Sequence, residues 1–239
     1  KDSNMKKINT ILAALSALLM LTVTSANSIE ISAGVSANGM AAYANAKETL
    51  KGDGAGTGGQ TGRTTNEEAV LPTSFASIFA EISSDEAMGL GIGISYAPEV
   101  AELNKETRVI QASGTGDTGT QIIDGKINDL LSLYLTLPVG DSGAYAKAGY
   151  IQATLVTEEN LATGSKYENV DLTGMQIGGG YEGTLGDMAF WRAEGTYQIW
   201  DDISATGSEP NEAGDDSTKN KIEAEIGSVM GTLSVGMKF

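Results

Sequence analysis

Leu131-Ser132-Leu133-Tyr134-Leu135-Thr136-Leu137 sets four leucines two residues apart, with Ser132, Tyr134 and Thr136 between them. A two-residue period puts the leucines on one face of a β-strand and the other three side chains on the opposite face. The alternation recurs upstream, where Leu90, Ile92, Ile94 and Tyr96 oppose Gly89, Gly91, Gly93 and Ser95. It recurs downstream, where Trp191, Ala193, Gly195, Tyr197 and Ile199 oppose Arg192, Glu194, Thr196 and Gln198. In a water-soluble barrel or sandwich the apolar set points inward. Here the other set carries Arg192 and Glu194, with glycines where bulk would crowd a narrow interior. Aliphatic-out and polar-in suits lipid rather than water.

Eight such segments can be read along the chain: Glu30–Tyr43, Thr73–Ile82, Met88–Ala97, Lys126–Val139, Ala144–Thr157, Val170–Gly183, Met188–Trp200 and Lys221–Phe239. The connections alternate in length. Ser83–Glu86, Gly140–Gly143 and Thr184–Asp187 are tight turns, whereas Asn45–Leu71, Glu99–Gly125, Glu158–Asn169 and Asp201–Asn220 are long, polar and rich in Gly, Thr, Asp and Glu. Short turns on one side and long loops on the other are what an outer-membrane barrel shows, and a soluble sandwich has no reason to sort its loops so. The expected fold is all-β: an eight-stranded antiparallel up-and-down transmembrane β-barrel, preceded by a cleavable signal peptide. The fifth segment departs from strict alternation. Ala144, Ala146, Ala148 and Tyr150 share one face, but Ile151, Ala153 and Leu155 fall on the other. A bulge near Tyr150 is the preferred repair, and Lys147 reaching an interface is the other.

The start of the chain supplies the export signal. Met5-Lys6-Lys7 is a short basic region, Ile8–Val23 is mostly apolar, and Thr24-Ser25-Ala26 offers small residues for cleavage. That order reads as a secretory signal peptide over residues 1–26, with residues 27–239 forming the barrel; a retained anchoring helix is the alternative. No segment has the roughly 18 consecutive apolar residues of a membrane helix. With no cysteine, disulfides and thiolate metal sites are excluded. Thirty-one acidic against 15 basic residues give a formal charge of −16. Such a chain repels phosphate backbones, so nucleic acid is not an expected partner.

With the amino terminus inside, Tyr43, Tyr96, Tyr197 and Trp200 fall near the outer ends of their strands, and Tyr181, Trp191 and Phe239 near the periplasmic ends. Amphipathic rings favour both membrane interfaces, so these seven residues are the expected girdles. Glu81, Lys147, Glu182, Arg192, Glu194 and Lys238 project into the lumen in the same reading. An eight-stranded barrel is barely wide enough for its own side chains, so these charges should pair across it. The pairing is read first as a plug of salt bridges and second as a gate.

The terminus Leu233-Ser234-Val235-Gly236-Met237-Lys238-Phe239 alternates and ends on an aromatic, and it resembles the signature that barrels present to the outer-membrane assembly machinery. Gly178-Gly179-Gly180-Tyr181-Glu182 followed by Ala189-Phe190-Trp191-Arg192-Ala193-Glu194-Gly195-Thr196-Tyr197 is similar to the sixth and seventh strands of opacity-protein and OmpA-like surface barrels. Gly195 stands where that family usually has an aromatic. With the chain ending at Phe239, a peptidoglycan-binding domain is not expected. The resemblance implies partners in outer-membrane lipid and lipopolysaccharide, in the assembly machinery through Phe239, and in surface ligands or phage at the loops.

Barrel enzymes of the outer membrane, such as proteases, phospholipases and lipid A deacylases, use a histidine base. This chain has no histidine and no cysteine nucleophile, so neither catalysis nor a cofactor is expected. Gly54–Gly59 lacks the Gly-Lys-Ser/Thr ending of a phosphate loop and reads as a flexible surface loop. Asp201, Asp202, Glu209, Glu212, Asp215 and Asp216 read as a solvated acidic loop, with weak divalent-cation bridging as the alternative. Three functions remain: a structural and adhesive surface barrel, a narrow channel for small or apolar solutes, and a soluble secreted binder.

Overall fold

The computed structural model describes residues 29–50, 63–84, 88–110, 119–160, 168–210 and 219–239. The leader read over residues 1–26, the glycine run at 54–59, and Glu212, Asp215 and Asp216 lie outside them. Nine antiparallel strands are described: β1 (Ile29–Leu50), β2 (Arg63–Ser84), β3 (Leu90–Ile110), β4 (Gly119–Pro138), β5 (Ala144–Asn160), β6 (Val170–Thr184), β7 (Ala189–Trp200), β8 (Ile203–Pro210) and β9 (Lys219–Lys238). They run in sequence order from β1 to β7, and β9 follows β7 and closes on β1. β8 lies on β9 directly beyond β7, so the two act as one wall strand interrupted at Asp201-Asp202. The result is a closed eight-stranded ring.

Register fixes the shape. Partners followed once around run from Glu30 through Ser83, Gly91, Thr136, Lys147, Gly178, Thr196 and Met230 back to Met40, a climb of ten residues along β1. Eight strands with that stagger tilt about 40° to the axis and leave an interior just wide enough for side chains to fill. The periplasmic turns are short, and Gly140 and Gly143 in the β4–β5 turn hold φ values of 67° and 86° that a side chain would disfavour.

Two expectations change here. Strand extends into the long connections: β1 and β2 pair without a break from Ile29 opposite Ser84 to Leu50 opposite Arg63. In polar segments, a hairpin ladder propagates from the strands below without needing an apolar face. The bulge expected in the fifth segment is also absent, since β5 pairs with β6 continuously from Ala144 to Leu155. The irregularity lies in β4 between Asn128 and Leu131, where Asp129 adopts φ 57°. Ile151 and Ala153 therefore face inward and are fully buried.

Val35, Ile78, Leu133, Leu135, Ile177, Leu233 and Val235 are exposed on the outer wall, while Ser32, Ser36, Asn38, Glu81, Lys147, Gln176, Arg192 and Gln198 are buried within. Apolar outside and polar inside is the partition of a β-barrel that crosses the bacterial outer membrane.

Candidate functional site

The lumen is layered. At its periplasmic end Arg192 of β7 donates two hydrogen bonds to the Glu81 carboxylate of β2, at 3.1 and 2.8 Å. Its Nε donates to Glu182 Oε2 of β6 at 2.8 Å. The other oxygen of Glu182 meets Lys238 Nζ of β9 at 2.8 Å, and Lys238 also reaches Glu30 of β1 at 2.9 Å. A second pair stands above the first, where Lys147 Nζ donates to both Glu194 oxygens at 3.1 and 3.0 Å and Tyr145 Oη donates to Glu194 at 2.6 Å. The cations also lie over rings: Lys147 Nζ is 4.0 Å from the Tyr134 centroid and the Arg192 guanidinium 4.9 Å from that of Phe190. The six charges singled out in the sequence thus form one layer. Glu30, Tyr134 and Tyr145 also belong to it and were missed. Strand period alone could have found Tyr145, which shares the face of Lys147 two positions away.

Above the charges lies a belt of neutral polar groups. Ser36 bonds Ser234 at 2.8 Å, Thr232 donates to Asn38 at 2.8 Å, Asn38 donates to Ser77 at 2.9 Å, and Gln176 bonds Ser132. The cavity enclosed here measures about 30 Å³, room for a few waters rather than a solute. Both layers close the lumen.

The outer half of the lumen is apolar. Met40, Ala97, Val100, Leu130, Ile151, Ala153, Leu172, Trp200 and Ile203 pack together there. Trp200 corrects the sequence reading: its side chain shares the inward phase of Gln198 and Arg192, is 8% exposed, and donates its Nε1–H to Ser228 at 3.1 Å. It is a core residue of the lumen and not an interfacial one, because the β7 face that reaches the outer end carries even-numbered residues inward.

The other six aromatics expected at the interfaces lie on the outer wall. Tyr43 and Tyr197 are exposed and share a 2.6 Å hydroxyl contact across Gly227, where any β-carbon would strike the Tyr43 ring. Tyr96 Oη donates to Asp129 at 2.6 Å beside the β4 irregularity. Tyr181 and Trp191 stack at 5.8 Å near the periplasmic end. Phe239 is exposed, and its backbone pairs with Ile31 through bonds of 2.8 and 3.3 Å. On the outer rim Lys221 contacts Glu223 at 2.6 Å and holds that exposed carboxyl below the usual carboxylate range. Glu67, Glu68, Asp202, Glu223 and Glu225 line a rim groove of about 550 Å³. Among the described residues no three acidic side chains converge as a metal site.

No family model matches the sequence, and no curated protein matches it. Among solved structures, the chain is similar to the outer membrane protein OprG from Pseudomonas aeruginosa, with 16% identity, 89% of this chain and 96% of that chain covered, and a TM-score of 0.45. It is similar to Neisserial surface protein A, with 11% identity, coverage of 86% and 97%, and a TM-score of 0.38. It is also similar to Ail, the attachment invasion locus protein of Yersinia pestis, with 12% identity, coverage of 86% and 99%, and a TM-score of 0.37.

Proposed function

We propose that this outer-membrane barrel is a structural and adhesive surface protein that works through hairpins raised above the bilayer. One observation carries the reading. β1 and β2 stay paired over 22 residues each, whereas crossing the membrane takes about 9–11. The excess is a charged, exposed hairpin held by its own ladder, with Asn45, Lys47, Glu67 and Glu68 open to solvent. A lumen closed by ion pairs and a polar belt favours display over conduction. The absence of histidine and cysteine in the sequence supports a role without catalysis. Lipopolysaccharide and other outer-leaflet lipids are the proposed neighbours of the wall, the assembly machinery the proposed reader of Phe239, and host surfaces or phage the proposed partners of the rim.

The test removes residues 47–66 and joins Ala46 to Glu67, which already face each other across the ladder. The shortened barrel should keep its heat-modifiable mobility on gels and lose adhesion or phage adsorption by whole cells. Unchanged adsorption, together with ion conductance by the intact protein in planar bilayers, would overturn the reading in favour of a channel.

A further inference from the structure

Among the described residues, neighbouring wall strands stay hydrogen-bonded up to the outer end of the shorter one, save for the last few residues of β6 beside β8 and, over a much longer stretch, β2 and β3. β3 and β4 pair as far as Ile110 opposite Gly119, and β9 and β1 as far as Lys221 opposite Thr49. The β2–β3 ladder stops at Ile78 opposite Tyr96, although both strands continue. Residues 63–77 of β2 and 97–110 of β3 are thus not paired with each other. The sequence gives a cause. Pro98 follows the last pair by two residues and has no N–H to offer, and proline is confined to sheet edges. A register shift in the β3–β4 ladder between Glu99 and Ala101 adds an irregularity to the same stretch of β3. One side chain spans the seam: Thr73 Oγ1 donates to the Val100 carbonyl at 2.5 Å.

The seam lies at the depth of lipid. Thr73 and Ser77 sit opposite Met40 and Ser36 of β1, on the periplasmic side of the Tyr43 level. It opens into a groove of about 450 Å³ in the wall, with Phe75, Ala76 and Val100 among its apolar lining and Glu99, Glu102, Lys126 and Asn128 among its polar lining, where Lys126 meets Glu102 at 3.7 Å. Val100 also belongs to the apolar cluster inside the lumen, and Phe75 packs against it. Two oddities meet here: an open edge at membrane depth, and an apolar lumen in a barrel whose other interior layers are polar. Unpaired backbone cannot face hydrocarbon alone, so the groove must hold water or a polar head along its edges while its floor accepts a chain.

We propose that the β2–β3 seam is a lateral binding groove for a single-chain amphiphile of the outer leaflet, its hydrocarbon chain laid on Phe75 and Val100 and its polar head at Thr73, Asn128 and Lys126. The Glu81–Arg192–Glu182 layer closes the lumen beneath, so the ligand is held rather than passed through. This site is separate from the hairpins that carry the surface role.

The chain has two tryptophans, and Trp200 stands in the cluster behind the groove. A Trp191→Phe barrel refolded into phosphatidylcholine vesicles therefore reports from Trp200 alone. The probe is a lysophosphatidylcholine whose acyl chain carries bromine at mid-chain, a short-range quencher. Saturable quenching of Trp200 is expected. A Thr73→Cys/Val100→Cys disulfide, in a chain with no other cysteine, should abolish it, and reduction should restore it. Ala76→Phe, which fills the groove without a cross-link, should raise the half-saturating concentration at least about tenfold. A Trp200→Phe barrel, reporting from the exterior Trp191, supplies the baseline for simple partitioning. Quenching of Trp200 that rises without saturation like that baseline, or saturable quenching indifferent to both blocks, would overturn the proposal.

Discussion

Replacing Arg192 with alanine should destabilise the barrel more than any other single truncation in its charged layer. Arg192 is 7% exposed and Glu81 4% exposed, and the guanidinium supplies both hydrogen bonds that the structure gives the Glu81 carboxylate from charged groups. Glu182 retains Lys238 at 2.8 Å, so the penalty falls on Glu81. Removing one member of a buried pair costs about 3–5 kcal/mol, most of it the desolvated charge left behind. In a domain of this size each kcal/mol moves the midpoint by about 2–4 °C, so Tm should fall by roughly 6–20 °C. The assay is stepwise heating of the refolded barrel, following β-sheet circular dichroism and the fast-migrating unboiled band. The cause is isolated by Glu81→Gln, which takes the charge out of the pair from the other side. In the double variant the orphaned carboxylate is gone, so Tm should recover to well above that of Arg192→Ala. Arg192→Lys should fall between, because a point charge cannot reproduce the two-pronged contact. A midpoint unchanged by Arg192→Ala, or a double variant whose losses simply add, would refute the argument.

Three further outcomes follow from the geometry. Glu194→Gln leaves Lys147, itself 8% exposed, without its counter-charge and should cost about 2–4 kcal/mol in the same melting assay, with Tyr145→Phe costing less. Trp200→Ala should cost about 3–5 kcal/mol by opening the lumen cluster, whereas Trp191→Ala, on the outer wall, should leave the midpoint much nearer that of the intact barrel. On the rim, carboxylate NMR should find Glu223 titrating below the ordinary range. Lys221→Ala should return it upward. Because its pKa is lowered in the folded state, any stabilising effect is present above the unfolded value and lost as pH falls through the folded one, and exposure keeps it small.

How far the sequence could be read depended on which force placed each residue. The β4 leucines and the β7 alternation are set by the contrast between lipid and lumen, so period alone assigned Arg192, Glu194, Lys147 and Glu81 to the interior. The outer parts of β1 and β2 are polar on both faces and carry no such contrast. They are strands because the hairpin ladder below continues through them, which composition cannot reveal. Ile151 and Trp200 were misread for a shared reason. The inference that apolar means outward assumes one kind of interior, and this lumen changes from ionic to aliphatic along its length. Once Leu130, Leu172 and Met40 supply apolar company inside, Ile151 needs no bulge, and Trp200 needs no interface.

That change along the axis also argues for what the barrel does with each end. The charged layer draws on six strands, β1, β2, β5, β6, β7 and β9, so its ion pairs tie separate parts of the wall together, and opening it would strand several buried charges at once. At the outer end the β2–β3 seam is spanned by the Thr73–Val100 contact, and an apolar cluster packs behind it. A molecule that exchanges with this protein therefore meets least resistance from the side, at the level of the outer leaflet, while the hairpins above remain free to meet other surfaces.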